Sequence, residues 1–192
     1  TLMRSSAASD VYKRQMFMSV TTRTAGFNTI DLSNLSDSGT LLSLILMLIG
    51  GSPGSTAGGL KTTTIAVVVI AVFAMAKGGD DINTFKRRIV SDVVKQSAVI
   101  ILIYLFAVML SSMIICSVEG LGMSQVLFET ASAAGTVGVS KGITNQISAI
   151  SKIILMIMMY GGRIGGLSLV LVFGQRKPEA PVKRPTEQIL IG

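Results

Sequence analysis

The chain has 192 residues, 49% of them hydrophobic and only 14% charged, with no Trp. That balance belongs to a membrane protein rather than a soluble core, and no His with a single Cys excludes a disulfide framework and leaves no basis for a Cys/His metal cluster. The net charge of +7 gathers in two stretches, Lys77 to Arg88 and Arg176 to Arg184, without interleaved aromatics; this is the pattern of cytoplasmic loops beside membrane spans, so no nucleic-acid partner is expected.

Residues 1–15 are rich in Ser, Ala and charge and contain no signal-peptide apolar region. They read as a non-native or mistranslated leader and are set aside from the fold. Residues 16–76 hold a short segment ending in Thr24-Ala25-Gly26-Phe27-Asn28, an apolar stretch over 38–49, a Gly/Ser/Pro/Thr loop over 50–61, and a second apolar stretch over 62–76. Neither stretch reaches the roughly 20 residues that cross a bilayer, so the two form one broken transmembrane element. Asn28 to Ser38 carries Asp31 and Asp37 without Lys or Arg, as expected on the side away from the cytoplasm.

Residues 77–92 read as a cytoplasmic connection turning at Gly78-Gly79. The span 93–173 then divides into a helix over 93–118, a half-helix over 122–134, a glycine segment over 135–140 and a last helix over 146–173. The uncharged run Ser97 to Val118 has 22 residues, which as helix reaches about 33 Å against a bilayer core of about 30 Å. The half-helix is too short to span and reads as re-entrant. The last helix is interrupted by Lys152 and by Gly161-Gly162-Arg163-Ile164-Gly165-Gly166. The tail, 174–192, is Pro-rich and charged, hence extended and cytoplasmic. Cys116, inside an apolar run, reads as plain packing.

One pattern occurs twice. Thr136-Val137-Gly138-Val139-Ser140 repeats the plan of Thr24 to Asn28 at a distance of 112 residues, and each copy is followed by a glycine break at 24 residues (Gly50) or 23 (Gly161). Irregular, glycine-rich backbone at membrane depth survives where it is buried in protein or lines a water-filled path. A cation entering a narrow path sheds its water, and backbone carbonyls of an extended loop replace it, aided by the negative C-terminal end of the preceding half-helix. Glycine opens the backbone conformations that turn successive carbonyls to one axis. The candidate filter residues are therefore Thr24, Ala25, Gly26, Phe27, Asn28, Thr136, Val137, Gly138 and Val139. Helix-packing glycines or ordinary turns remain the alternative.

The loop residues Gly50, Gly51, Ser52, Gly54, Ser55, Thr56, Gly58, Gly59 and Lys61 are candidates for a gate. The loop ends Gly59-Leu60-Lys61-Thr62, but Leu60 breaks the Gly-Lys pair that a phosphate-binding loop requires, and no strand precedes it. Arg163 lies between apolar runs, where a charge is costly; it is expected to face the path and bond to gate-loop carbonyls or repel cations, with a snorkelling arginine as the alternative. Lys61 is a weaker candidate for the same part. Glu129, inside the half-helix, needs partners from neighbouring backbone or an arginine, in a structural role rather than as an ion site.

These residues carry a resemblance. Val20 to Thr29, Gly50 to Thr62, Ala134 to Ser140 and Gly162-Arg163-Ile164-Gly165 resemble the membrane subunit of the Trk/Ktr/HKT superfamily of potassium transporters, nearest the bacterial Ktr type. The resemblance runs from about Met16 to the end. It implies an all-α membrane protein of helix, pore half-helix and helix repeats with broken transmembrane helices, here the later part of the third repeat and all of the fourth. It implies potassium uptake across the bacterial cytoplasmic membrane, Gly26 and Gly138 as filter glycines, residues 50–61 as the intramembrane gate and Arg163 facing it. It further implies a homodimer in lipid, a cytoplasmic C-terminus and a cytoplasmic ring of nucleotide-binding RCK subunits, with potassium as cargo, sodium as a candidate activator and no covalent cofactor. Val139 stands where many relatives carry Leu, and the first two repeats lie outside the chain. The rival readings are a Trk-type subunit coupled to protons or sodium, a non-transporting membrane scaffold, and an intramembrane enzyme using Ser52 or Ser55 with Lys61. The enzyme reading is set aside because no catalytic constellation accompanies it.

Overall fold

A computed structural model describes residues 2–28, 32, 35–77, 83–84 and 87–165. The chain is all-α in architecture. Its helices are α1 (Leu2–Thr21), α2 (Asp37–Leu48), α3 (Thr62–Ala76), α4 (Ser91–Glu119), α5 (Met123–Gly135) and α6 (Ala149–Ile164), with a 3-10 turn at Ile143–Asn145. Two-residue strands β1 (Asn83–Thr84) and β2 (Arg87–Arg88) pair antiparallel in the connection before α4.

The helix boundaries follow local chemistry. Ser36 caps α2 by accepting from the Gly39 N–H at 3.2 Å, and Ser148 caps α6 by accepting from Ser151. The Ser148 cap explains why α6 starts at Ala149 rather than at residue 146, where the composition placed it. Gly120 ends α4 in the left-handed region at φ 64°. In α1, Leu2–Thr21 contains neither Gly nor Pro, so nothing interrupts it, and the helix runs through the stretch set aside as a leader. The turn expected at Gly78-Gly79, the last part of the helix expected over 146–173, and the tail 174–192 lie outside the described residues.

Among the described residues one helix, α4, is long and apolar enough to cross a membrane. It has 29 residues, about 44 Å of helix. Its outer face, with Leu102, Phe106 and Met113 each at least 60% exposed, is an apolar surface of the kind lipid covers. The short apolar helices α2 and α3 flank the loop over 50–61.

The core sits around α5. From Phe128 to Gly135 every residue of this helix is buried. One cluster joins Val126 and Ala133 to Ile115, Ile143, Ile147 and Leu155; a second joins Phe128 to Met47, Leu32, Val137 and Val139. Ser112 Oγ and Thr130 Oγ1, both fully buried, lie 2.6 Å apart and tie α4 to α5, the pairing that burial of polar groups demands. Thus α5, only 13 residues long, is buried along its whole second half.

Candidate functional site

Both glycine segments leave a helix C-terminus and adopt the same unusual backbone. Among the described residues the only non-glycine residues at positive φ are Thr24 (69°) and Thr136 (53°), and two residues further on Gly26 (77°) and Gly138 (87°) follow suit. A β-branched residue in this region is an outlier that surroundings must enforce. Its occurrence at equivalent places of the two copies repeats in three dimensions what the sequence repeats in one.

The copies also face each other. A Cβ built on Gly26 would lie 2.4 Å from the Val137 carbonyl oxygen, and one on Gly138 would lie 3.6 Å from the Gly26 Cα. Asn28 Nδ2 donates to the Ser140 carbonyl at 3.3 Å, across the 112-residue offset of the repeat. Thr21 Oγ1 folds the first segment back, accepting from the Phe27 N–H at 2.9 Å and donating to the Phe27 carbonyl at 3.0 Å. The second segment starts with the Thr136 and Val137 N–H groups donating to Ala133 and Ser132. Among the described residues no hydrogen bond reaches the carbonyl oxygens of Thr24, Ala25, Gly26, Thr136, Val137 or Gly138; Val137 is buried, and a buried carbonyl is ordinarily paired unless water or a ligand takes it. Phe27 is exposed, and Val137 and Val139 are buried in the core.

The loop over 50–61 is closed at its base and open at its tip. Gly50 N–H donates to Leu60 O at 2.8 Å, Leu60 N–H to Leu48 O, and Thr62 N–H to Gly51 O. Gly58 N–H donates to Thr136 Oγ1 at 3.1 Å, so the base packs directly beneath the second glycine segment. Ser52, Gly54, Ser55 and Thr56 form the exposed tip. Lys61 Nζ is engaged by the loop's own Ala57 carbonyl at 2.6 Å and by Ser55 O at 3.3 Å, while Ser55 Oγ bonds Ser52 O. The Lys61 ammonium therefore meets backbone oxygen, not the Ser55 hydroxyl of an imagined dyad.

Arg163, on the last turn of α6, donates from Nη1 to the Thr56 carbonyl of the loop tip. A cavity of about 450 Å³ runs between this guanidinium and the second glycine segment, lined by Ser132, Thr136, Gly138, Ser140 and Thr144 among others. Two further glycines make the close approach possible. At the 112-residue offset Gly50 corresponds to Gly162, and a Cβ there would meet the Gly58 oxygen at 2.1 Å and the Ala134 oxygen at 1.9 Å respectively. The repeat spacing points instead to Gly161, but a Cβ there meets nothing within 4 Å; adjacent glycines are indistinguishable in sequence, and only the helix face tells them apart.

Glu129 is buried at 6% exposure and finds hydroxyls and a backbone N–H rather than an arginine. Ser140 Oγ donates to its Oε1 at 2.5 Å, the Lys141 N–H at 3.0 Å, and Thr144 Oγ1 donates to Oε2 at 3.1 Å. Among the described residues no group of His, Cys, Asp and Glu is placed to hold a metal ion.

The profile of the TrkH family, described as cation transport protein, matches residues 1–183. This chain belongs to the TrkH family. It is 37% identical over 183 residues to Ktr system potassium uptake protein D of Bacillus subtilis, covering 95% of this chain and 41% of that protein. It is 38% identical over 187 residues to the potassium/sodium uptake protein NtpJ of Enterococcus hirae, covering 92% and 40%. Ktr system potassium uptake protein B of Vibrio alginolyticus is 34% identical over 176 residues, covering 92% and 38%. The chain thus spans about two fifths of the length of these relatives. The TrkH-family match includes the residues set aside as a leader, in keeping with the unbroken course of α1. The family is one of transport proteins, and the all-α fold with its apolar α4 agrees with a membrane setting.

Proposed function

We propose that this chain forms part of a potassium-uptake path through the bacterial cytoplasmic membrane. Thr24, Ala25, Gly26, Phe27 and Asn28 supply one filter segment, and Thr136, Val137, Gly138 and Val139 another. The observation that carries the reading is the pair of facing segments with matched left-handed Thr and Gly positions and six carbonyl oxygens that no hydrogen bond among the described residues reaches. Oxygens released from internal pairing are free to replace a cation's water, and the C-terminal end of α5 adds a partial negative charge at the same point. Gly138 and Gly26 hold the carbonyl sequence in conformations that side chains oppose.

Below the segments the 50–61 loop obstructs the path, with its base fixed by backbone bonds and its tip held by Arg163. The tip is the movable part, since it is exposed and, apart from bonds within the loop and from Lys61, is held by the one guanidinium contact from α6. The names of the Ktr and NtpJ relatives support potassium as cargo, and that of NtpJ adds sodium. A homodimer in lipid, an RCK regulatory ring and a cytoplasmic C-terminus are proposals that rest on the family resemblance. A Trk-type coupled subunit stays the nearest rival, and a non-transporting scaffold the more distant one.

The reading is tested by rubidium tracer uptake into vesicles holding the full-length protein that carries this chain. Uptake competed by potassium is the expected result; a correctly inserted protein that carries no cation under any gradient supports the scaffold instead. In the same vesicles Arg163→Gln is expected to raise flux by about tenfold or more, the scale of the roughly 1.5–3 kcal/mol of one charged hydrogen bond, because the tip loses its contact with α6. Unchanged flux in that variant removes Arg163 from the gate.

A further inference from the structure

Glu129 is more than a satisfied buried acid. Its three donors are Ser140, Lys141 and Thr144, the last residue of the second glycine segment and two residues of the stretch that directly follows it. Ser140 does two further things. Its Oγ accepts from the Gly142 N–H at 2.8 Å, closing a turn at a glycine with φ 88°, and its carbonyl accepts from Asn28 Nδ2 of the first segment. Lys141 sends its ammonium away from Glu129, to the buried Thr40 Oγ1 of α2 at 2.8 Å and over the Phe128 ring at 5.2 Å. The carboxylate is therefore the hub from which the far end of the second segment is fixed to α5 and, through Ser140, to the first segment.

Among the described residues no carboxylate plays this part for the first segment. At the 112-residue offset the position of Glu129 is taken by Phe17, which is 41% exposed, and the first segment is turned by the hydroxyl of Thr21 and by the Ala25 and Gly26 N–H groups donating to the Thr21 carbonyl. Hydrogen bonds to a carboxylate are shorter and about twice as strong as neutral ones, so Glu129 holds the second segment firmly.

We infer that Glu129 is a positioning residue for ion selectivity, whose carboxylate sets the spacing of the second glycine segment and, through Ser140 and Asn28, its register with the first. This rests on the filter reading proposed above. Glutamine keeps an acceptor where Oε1 receives Ser140 and Lys141, and turns an amide toward Thr144 that the Thr hydroxyl can accept. Aspartate falls one methylene short of all three donors, and alanine removes them.

The test is the ratio of rubidium to sodium uptake by the full-length protein in vesicles, for the parent, Glu129→Gln, Glu129→Asp, Glu129→Ala and Gly138→Ser. Loss of membrane protein lowers both fluxes together, whereas a displaced filter changes their ratio. We expect the ratio to fall by about tenfold or more in the Asp and Ala variants and by less than about threefold in the Gln variant, the scale set by losing or keeping hydrogen bonds to a charged group. If Glu129→Ala does not insert, Ser140→Ala with Thr144→Val removes two of the three donors and is held to the same tenfold expectation. A ratio unchanged in the alanine variant or in the double variant, with Gly138→Ser losing selectivity, overturns the role of Glu129 and leaves the filter reading standing. A ratio unchanged in Gly138→Ser overturns the filter reading itself and the role of Glu129 with it.

Discussion

Gly26→Ala is expected to reduce rubidium uptake at least tenfold, and to do so more severely than Gly138→Ala. Both glycines hold φ near +80° (77° and 87°), where any L side chain pays about 1–2 kcal/mol. They differ in what the new methyl meets. At Gly138 the nearest atom is the Gly26 Cα at 3.6 Å, an ordinary contact, whereas at Gly26 the Val137 carbonyl oxygen stands 2.4 Å away. That oxygen is backbone, and no hydrogen bond among the described residues reaches it, so the methyl displaces a group that the proposed filter uses and not a flexible side chain. Tracer uptake normalised to protein in the vesicles checks the order. Equal loss in both variants, or greater loss in Gly138→Ala, shows that the two segments do not approach as described.

A second large effect is expected at Gly162. Its Cβ would lie 1.9 Å from the Ala134 oxygen at the end of α5, so Gly162→Ala forces α6 away from α5 at the level of the second glycine segment. Overpacking a well-filled contact costs about 1–3 kcal/mol and more where backbone is the obstacle, and here the displaced helix also carries Arg163. Thermal unfolding in detergent is expected to fall by several degrees or more, with uptake lost. The neighbouring Gly161→Ala provides the contrast. Its methyl meets nothing within 4 Å inside a helix, so stability is expected to stay level or rise by about 0.5–1 kcal/mol. Similar losses in both variants contradict the α5–α6 contact.

Much of this arrangement is legible in the sequence, because the strongest signals are local. The uncharged run over 97–118 announces α4, which extends to Ser91–Glu119; the short apolar stretch before Thr136 announces α5; and two apolar pieces around a Gly/Ser/Pro/Thr loop announce α2 and α3. The repeated Thr-x-Gly pattern marks the two segments whose backbones match. What sequence hides is what distance decides. The partners of Glu129 are 11 to 15 residues away and are common Ser, Lys and Thr, so no spacing rule selects them. Gly161 and Gly162 are equivalent until the packed face of α6 is known. Composition sets residues 1–15 apart because they are polar, and α1 runs through them because they contain neither Gly nor Pro. Arg163 is the intermediate case. Its cost in an apolar setting marks it out, but that it meets Thr56, 107 residues away, follows only from the packing of α6 beside the loop.

The central claim is that two glycine segments of this chain form a filter for potassium. The most direct test is the ratio of rubidium to sodium uptake by the full-length protein in vesicles, measured beside its Gly138→Ser variant at matched protein levels. The Gly138 position has room for the side chain but not the backbone freedom, so the variant is expected to insert normally and to lose the preference for rubidium while still passing cations. A variant that keeps the parent's ratio, or a parent that shows no preference to lose, contradicts the claim.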